Sequence, residues 1–311
     1  MTGMRELFSA ARRFEEHRPR LRAVAHRMLG SVGEADDAVQ ETWLRLERTG
    51  IENIDDLGGW TTTVTARVCL NMLRSREQRR EEPLETGGPW GAERLPDPVV
   101  GSAAADDPES AALTADSVGW ALMVVVQELN PSERVAFVLH DLFAVPYAEI
   151  GPLVERGEDA ARQLASRARR RVREQGSRGA VPDGDPARRR RVVDAFFAAA
   201  REGDIDGLLS VLHPEVVLRS DGGVRGRYTT RITGAADVAG QAVTFHRFAP
   251  FVHPVSVNGA EGVVVTAGGR VLSVMGFVVA GGRITAIDVL ADPDRLAELG
   301  ITPEALGIRE G

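Results

Sequence analysis

Leu142–Arg173 reads LFAVPYAEIGPLVERGEDAARQLASRARRRVR, two short helical patterns around one polar break. Pro146 suits the first turn of a helix, where a missing N–H costs nothing, and Ile150, Leu153 and Val154 then fall on one face. Arg156, Gly157, Glu158 and Asp159 interrupt the pattern, and the acidic pair suits the positive end of the helix that follows. That helix runs from Ala160 to Arg173 without Gly or Pro, with six arginines between Ala161 and Arg173 and no acid. Ala161, Leu164, Ala165 and Ala168 are spaced to face the first helix. Arg162, Gln163, Ser166, Arg167 and Arg170 then point outward, and these residue types bond base edges and phosphates. The pattern predicts a helix-turn-helix that sits on DNA. An arginine run alone would more readily describe the solvated face of a helical bundle, and it is the short helix, the turn and the one-sided basic face together that favour DNA.

The 311 residues leave room for two or three domains, each with its own core. The net charge of -7 is unusual for a DNA-binding chain until its distribution is read. All 38 basic residues are arginine. Five of them stand against one glutamate in Arg67–Arg80, whereas nine acids face only Arg94 between Glu81 and Ser117. Two basic patches are thus joined by an acidic connector. Cys69 is the only cysteine, which excludes an internal disulfide and a cysteine metal cluster, and no cofactor is expected. No apolar run approaches the length of a membrane span and no signal-peptide pattern opens the chain, so a cytoplasmic protein is expected.

Three blocks differ in period. Residues 1–81 read as one helical domain, with Leu21, Val24, Ala25, Met28 and Leu29 as one stripe and Ala38, Val39, Trp43, Leu44 and Leu46 as another. Residues 82–108 are rich in Pro, Gly and acid and read as a linker with little regular structure. A second helical domain is expected over 109–175, followed by a glycine-rich boundary at 176–187. Residues 188–311 change to two helical stretches and then β-branched runs broken by glycines, VVLRSD, GVVVTAG, RVLSVMGFVVAGG and RITAIDVLA, which predict an α+β domain.

Within the first block, Asp37, Gln40, Glu41 and Leu44 fall within two turns of one helix, with Trp43 nearby. Such an acidic, hydrogen-bonding face suits a protein partner as well as it suits water. Further on, Gly58 and Gly59 break the chain before Trp60, and a long helix continues through Asn71 to Arg74, Arg76, Arg79 and Arg80. An aromatic and an Asn can meet bases while the arginines hold phosphates. The plainer role for Trp60 is a core anchor.

DDAVQETWLRL, the WTTTVTARVCLNMLRSR helix and the helix-turn-helix, in this order around an acidic linker, resemble the two domains of extracytoplasmic-function (ECF) sigma factors. The resemblance covers roughly Leu7–Arg173. It implies that Asp37, Gln40, Glu41 and Trp43 dock on core RNA polymerase. It also implies that Trp60, Asn71, Arg74 and Arg76 read and melt the promoter −10 element, and that Arg162, Gln163, Ser166, Arg167 and Arg170 read the −35 element. The third block, with RSDGGVRGR and VLADPDRL, resembles a SnoaL-like domain of the nuclear-transport-factor cone fold, and GPWGAERLPDP resembles the linker motif of sigma factors carrying that extension. The fold class expected is therefore multidomain: two all-α sigma domains and an α+β SnoaL-like domain. Asp221, Gly222, Gly223 and Arg225 stand where that subgroup has a DGGGK-like motif, with its third glycine and its lysine replaced. Asp292, Pro293 and Asp294 stand where it has NPDKL.

The resemblance implies an intramolecular contact through which the last domain tunes the sigma domains, and it leaves room for a small-molecule effector. Related cone folds can catalyse isomerisation or hydrolysis with Asp and His, which directs attention to Asp221, His246, His253 and Asp288; no spacing among them makes a site. Two other readings stand beside the sigma factor. One is a ligand-responsive helix-turn-helix regulator, and the other is a SnoaL-like enzyme with a DNA-binding arm.

Overall fold

The computed structural model describes residues 2–81, 94–102, 119–176, 183–223, 229–245 and 251–308. Contacts divide the chain into a helical unit, Met1–Glu85 with Val126–Val172, and an α+β unit, Thr86–Val125 with Arg173–Gly311.

The helical unit opens with α1 (Thr2–Leu29), α2 (Val32–Thr49) and α3 (Leu57–Glu81). Ser31 caps α2 by accepting from Glu34 N, and Asp56 Oδ1 accepts from Gly59 N at 3.1 Å in the first turn of α3. Gly58 and Gly59 are therefore helical, and they do not break the chain before Trp60 as their composition suggests; the Asp56 cap holds them in the turn. Phe14, Leu21, Val39, Leu46 and Leu57 form the core of this trihelical layer, with Trp43 and Trp60 packed against it. A buried Thr42–Thr65 hydroxyl pair at 2.9 Å ties α2 to α3. The second helical set is α4 (Trp120–Gln127), α5 (Pro131–Phe137), a π turn at Val138–Leu142, α6 (Tyr147–Leu153) and α7 (Glu158–Gly176). Asn130 caps α5 and Pro131 follows it, the expected order at a helix start.

The division between units falls inside α4, after Val125. This explains why WALMVVV shows no polar stripe. Trp120, Met123 and Val124 enter a core of the α+β unit, whereas Val126 belongs to the helical one.

The α+β unit contains α8 (Pro186–Glu202), α9 (Ile205–Val211) and α10 (Ala235–Thr244), a seven-stranded sheet and the short α11 (Pro293–Glu298). The strands are β1 (Val100–Ser102), β2 (Leu212–Asp221), β3 (Thr230–Thr233), β4 (Val252–Val257), β5 (Ala260–Ala267), β6 (Arg270–Ala280) and β7 (Arg283–Leu290). Their order is β1-β4-β5-β6-β7-β2-β3, with only β2 and β7 parallel. Helices on one face of a sheet of six strands give the cone arrangement expected of a SnoaL-like domain. Both faces are covered. Val263, Phe277 and Ile287 enter the core with α8 residues Val193 and Phe196, while Val264, Val274 and Leu290 enter a second core with Leu95, Trp120 and Leu296. Adjacent residues such as Val263 and Val264 point to opposite faces, so both must be apolar, and the run GVVVTA loses its alternation.

The seventh strand, β1, comes from the segment read as a linker of little regular structure. Residues 95–98 are buried there and Val100–Ser102 pairs antiparallel with β4. The β4 edge supplies unpaired backbone groups, and local composition gives no notice of a partner more than 150 residues away.

Cys69 is fully buried in the helical unit, and burial pushes its thiol up to about 12. The raised value means that this unit loses stability as pH climbs above the thiol's ordinary value. Labelling of the folded chain by a thiol reagent at pH 8 is expected to run at least about a thousandfold slower than in urea. Equal rates would contradict the placement of Cys69.

Candidate DNA and polymerase interfaces and a buried three-motif junction

On α7, Ala161, Leu164, Ala165 and Ala168 are buried, and Arg162, Gln163, Ser166, Arg167 and Arg170 are all exposed. Glu158 and Asp159 open the helix, and Glu158 accepts from Arg162 at 2.9 Å. Tyr147 of α6 lies under the Arg162 guanidinium at 5.5 Å. Gly151 of α6 meets the turn so closely that a Cβ there would stand 2.9 Å from Arg156 O. The two helices are thus tightly joined, and α7 presents one continuous basic face.

The −10 candidates on α3 separate into two places. Trp60 is half-buried against the trihelical core, and Asn71 stands about 16 Å further along at ~1.5 Å per residue. Asn71 and Arg76 line an open cleft of about 360 Å³ together with Glu34, Arg45 and Ser75. Arg76 is paired with Glu34 and donates to Leu29 O at 3.1 Å. Arg74 pairs with Glu155 at 2.7 Å, and its guanidinium holds the Glu155 carboxyl below the ordinary value. On α2, Asp37 and Gln40 are exposed, Leu44 is 37% exposed, and Glu41 binds Arg45 at 2.8 Å. Trp43 turns inward, its ring 5.2 Å from Phe14. The structure therefore collects Asp37, Gln40, Glu41 and Leu44 on one face and gives Trp43 to the core.

The α+β unit brings three separate motifs together. Arg295 of DPDRL donates from Nη1 to Asp221 Oδ2 at 2.6 Å and from Nη2 to Leu95 O at 2.8 Å. Its Nε donates to Asp97 Oδ1 at 3.1 Å, and Nη2 pairs with the same carboxylate. Asp221 also accepts from Leu95 N and Gly223 N, both at 3.0 Å. Asp292 caps α11, accepting from Asp294 N at 3.1 Å, with Pro293 as the first helical residue. Gly223 has φ +77, and a Cβ there would stand 2.5 Å from Asp292 Oδ2, so this position requires glycine on two counts. Trp120 completes the junction by donating its indole N–H to Pro96 O at 2.9 Å. Gly276 makes room for that indole, since a Cβ would lie 2.8 Å from its ring. Arg225 and His246 lie outside the described residues.

Asp288 and Asp221 follow the parity of Leu290, on the face of the second core and away from α8. Asp288 is clamped by Arg219 at 2.7 Å, and burial pushes its carboxyl above the usual range against the opposing pull of that guanidinium. His253 Nε2 bonds Thr266 Oγ1 at 3.0 Å. Each of these candidate catalytic groups already has a structural partner.

Residues 13–80 match Sigma-70 region 2 and residues 120–172 match Sigma-70 region 4. The chain is 38% identical over 299 residues to the ECF RNA polymerase sigma factor SigJ of Mycobacterium tuberculosis, covering 91% of each sequence. This protein belongs to the ECF sigma factor family. A probable ECF sigma factor of the same species, SigI, is 37% identical over 91% of this chain and 95% of its own length. The crystal structure of M. tuberculosis SigJ superposes with a TM-score of 0.72 at 34% identity, covering 92% of this chain and 98% of that one. The sigma factor architecture, with its α+β extension, is thus shared along nearly the whole chain.

Sequence reading placed this factor's DGG and DPDRL motifs but missed Asp97 and Arg295 as the groups that join them. The usable signal was an acid set between prolines in the linker and an arginine three residues after a helix cap. Replacing Arg295 by Met leaves two buried carboxylates without their cation and is expected to cost the α+β unit roughly 3–5 kcal/mol. Urea-dependent hydrogen exchange in β6 and β7 measures it, and an unchanged midpoint would show that the junction carries no stability.

Proposed function

We propose that this sigma factor directs core RNA polymerase to promoters, with α7 reading the −35 element and the Asn71 end of α3 reading the −10 element. The exposed Asp37, Gln40, Glu41 and Leu44 face would dock on the polymerase. The C-terminal domain would regulate initiation in cis, acting on the chain between regions 2 and 4.

One observation carries the regulatory part. Residues 95–102, which follow region 2, and Trp120, which opens region 4, are built into the core and sheet of the α+β unit. The stretch that sets how far the two readers can separate is therefore a structural component of the extension. An effector that loosened Arg295 would act by the same route. No reaction is proposed for the cone, because the carboxylates that could perform one are ion-paired on its other face.

Run-off transcription with bacterial core polymerase tests this, comparing the 311-residue chain, a chain ending at Gln175 and Arg295→Met. A promoter-dependent transcript is expected from the intact chain, with both altered forms shifting its yield in the same direction by about fivefold or more. Equal yields from all three would overturn regulation in cis. No transcript from any would overturn the promoter reading.

A further inference from the structure

We infer that Tyr147 is a positioning residue for −35 recognition, holding Arg162 ready for a bidentate contact with a guanine in the major groove. The inference rests on the promoter reading above and deepens it by naming the base that one side chain selects.

Tyr147 opens α6, outside the outward positions of α7, and its ring is held by several groups. It stacks on the His140 imidazole with centroids 3.8 Å apart and planes inclined by 25°. That imidazole is itself fixed, its Nδ1 donating to Val145 O at 3.0 Å. The phenol oxygen accepts from Arg169 Nη1 at 3.2 Å, and the same guanidinium bonds Asp141 at 2.9 Å. Arg162 and Arg169 lie two helical turns apart, so both converge on Tyr147 from one face of α7. The half-buried ring is a fixed platform, with the Arg162 guanidinium over it at 5.5 Å.

Two features separate Arg162 from the other outward arginines. It stands in the second turn of α7, toward the end of a recognition helix that meets base edges, whereas Arg167 and Arg170 lie further along. Its charge is also offset, by Glu158 at 2.9 Å and by Asp159 at 3.8 Å. Carboxylates beside a guanidinium weaken its pull on phosphate, while a neutral base edge asks only for aligned donors. Arg167, exposed and without a partner among the described residues, suits phosphate better.

Glu158 takes one of the guanidinium N–H groups and leaves a pair free. Guanine presents two adjacent acceptors, O6 and N7, to such a pair, whereas adenine sets a donor beside its N7. With the ring and the carboxylate already restraining Arg162, less side-chain freedom is lost when the base arrives.

Promoter DNA randomised over the −35 element, and selected by core polymerase carrying the 311-residue chain, tests this. The intact chain is expected to select guanine at one −35 position by about fivefold or more, and Arg162→Ala to lose that preference while keeping the others. Tyr147→Leu is expected to lower the same preference about threefold and Tyr147→Phe to retain it, because the ring carries Arg162 and the hydroxyl does not. Glu158→Gln, at an exposed site, carries the test should Tyr147→Leu not fold. It is expected to weaken the guanine preference and to steepen the salt dependence by about one as Arg162 turns to phosphate. A guanine preference that survives Arg162→Ala or Tyr147→Leu unchanged, or an Arg162-dependent preference for another base, overturns the inference. So does a Glu158→Gln chain with preference and salt dependence both unchanged, or a folded Tyr147→Leu chain that loses every −35 preference alike. Selection of no −35 sequence by the intact chain overturns the promoter reading instead.

Discussion

The guanidinium of Arg295 determines the path of the chain between the sigma regions. Two buried carboxylates, Asp97 and Asp221, meet on it, and Asp97 lies 198 positions away in sequence. A cation buried between two acids is stable only while every partner is present, so the fork acts as a register mark more than as a source of stability. With Leu95 held by Arg295 and Asp221, Pro96 O is presented to the Trp120 indole. Residues beyond it then run out as β1 along β4, where Val99 and Asn258 exchange bonds at 2.8 Å and 2.7 Å.

The same junction explains an otherwise odd sheet. A cone domain standing alone would need one apolar face, toward its helices. Here the second face is apolar too, because Leu95, Trp120, Met123 and Val124 cover it. The extension therefore owns residues that sequence assigns to the linker and to the start of region 4. In the helical unit a parallel economy of groups holds: Arg20, Arg27 and Arg74, cations suited to phosphate, serve as partners for Phe143 and Glu155.

Much of this was legible locally. The two faces of α7 follow from a 3.6-residue period, and all nine positions assigned by that period have the expected burial. The change to an α+β block was equally plain, because β-branched runs between glycines have few other folds. Inward or outward direction was harder for single aromatics, since Trp43 and Trp60 adjoin functional-looking residues while packing on Phe14 and Leu57. Partners remote in sequence were not legible. The prolines around Asp97 mark the acid without naming Arg295 as its partner, and nothing near Val100 announces β4.

The family is fixed by similarity along the chain, but the division of labour between α3 and α7 is a physical claim about DNA. Permanganate and nuclease footprinting of a promoter bound by core polymerase and the 311-residue chain measures it most directly. Reactive thymines in the −10 element and nuclease protection at −35 are expected together, with Asn71→Ala removing the first and sparing the second. Protection at −35 by the chain alone, with no reactive thymine when polymerase is added, would contradict the account and describe an operator-binding regulator.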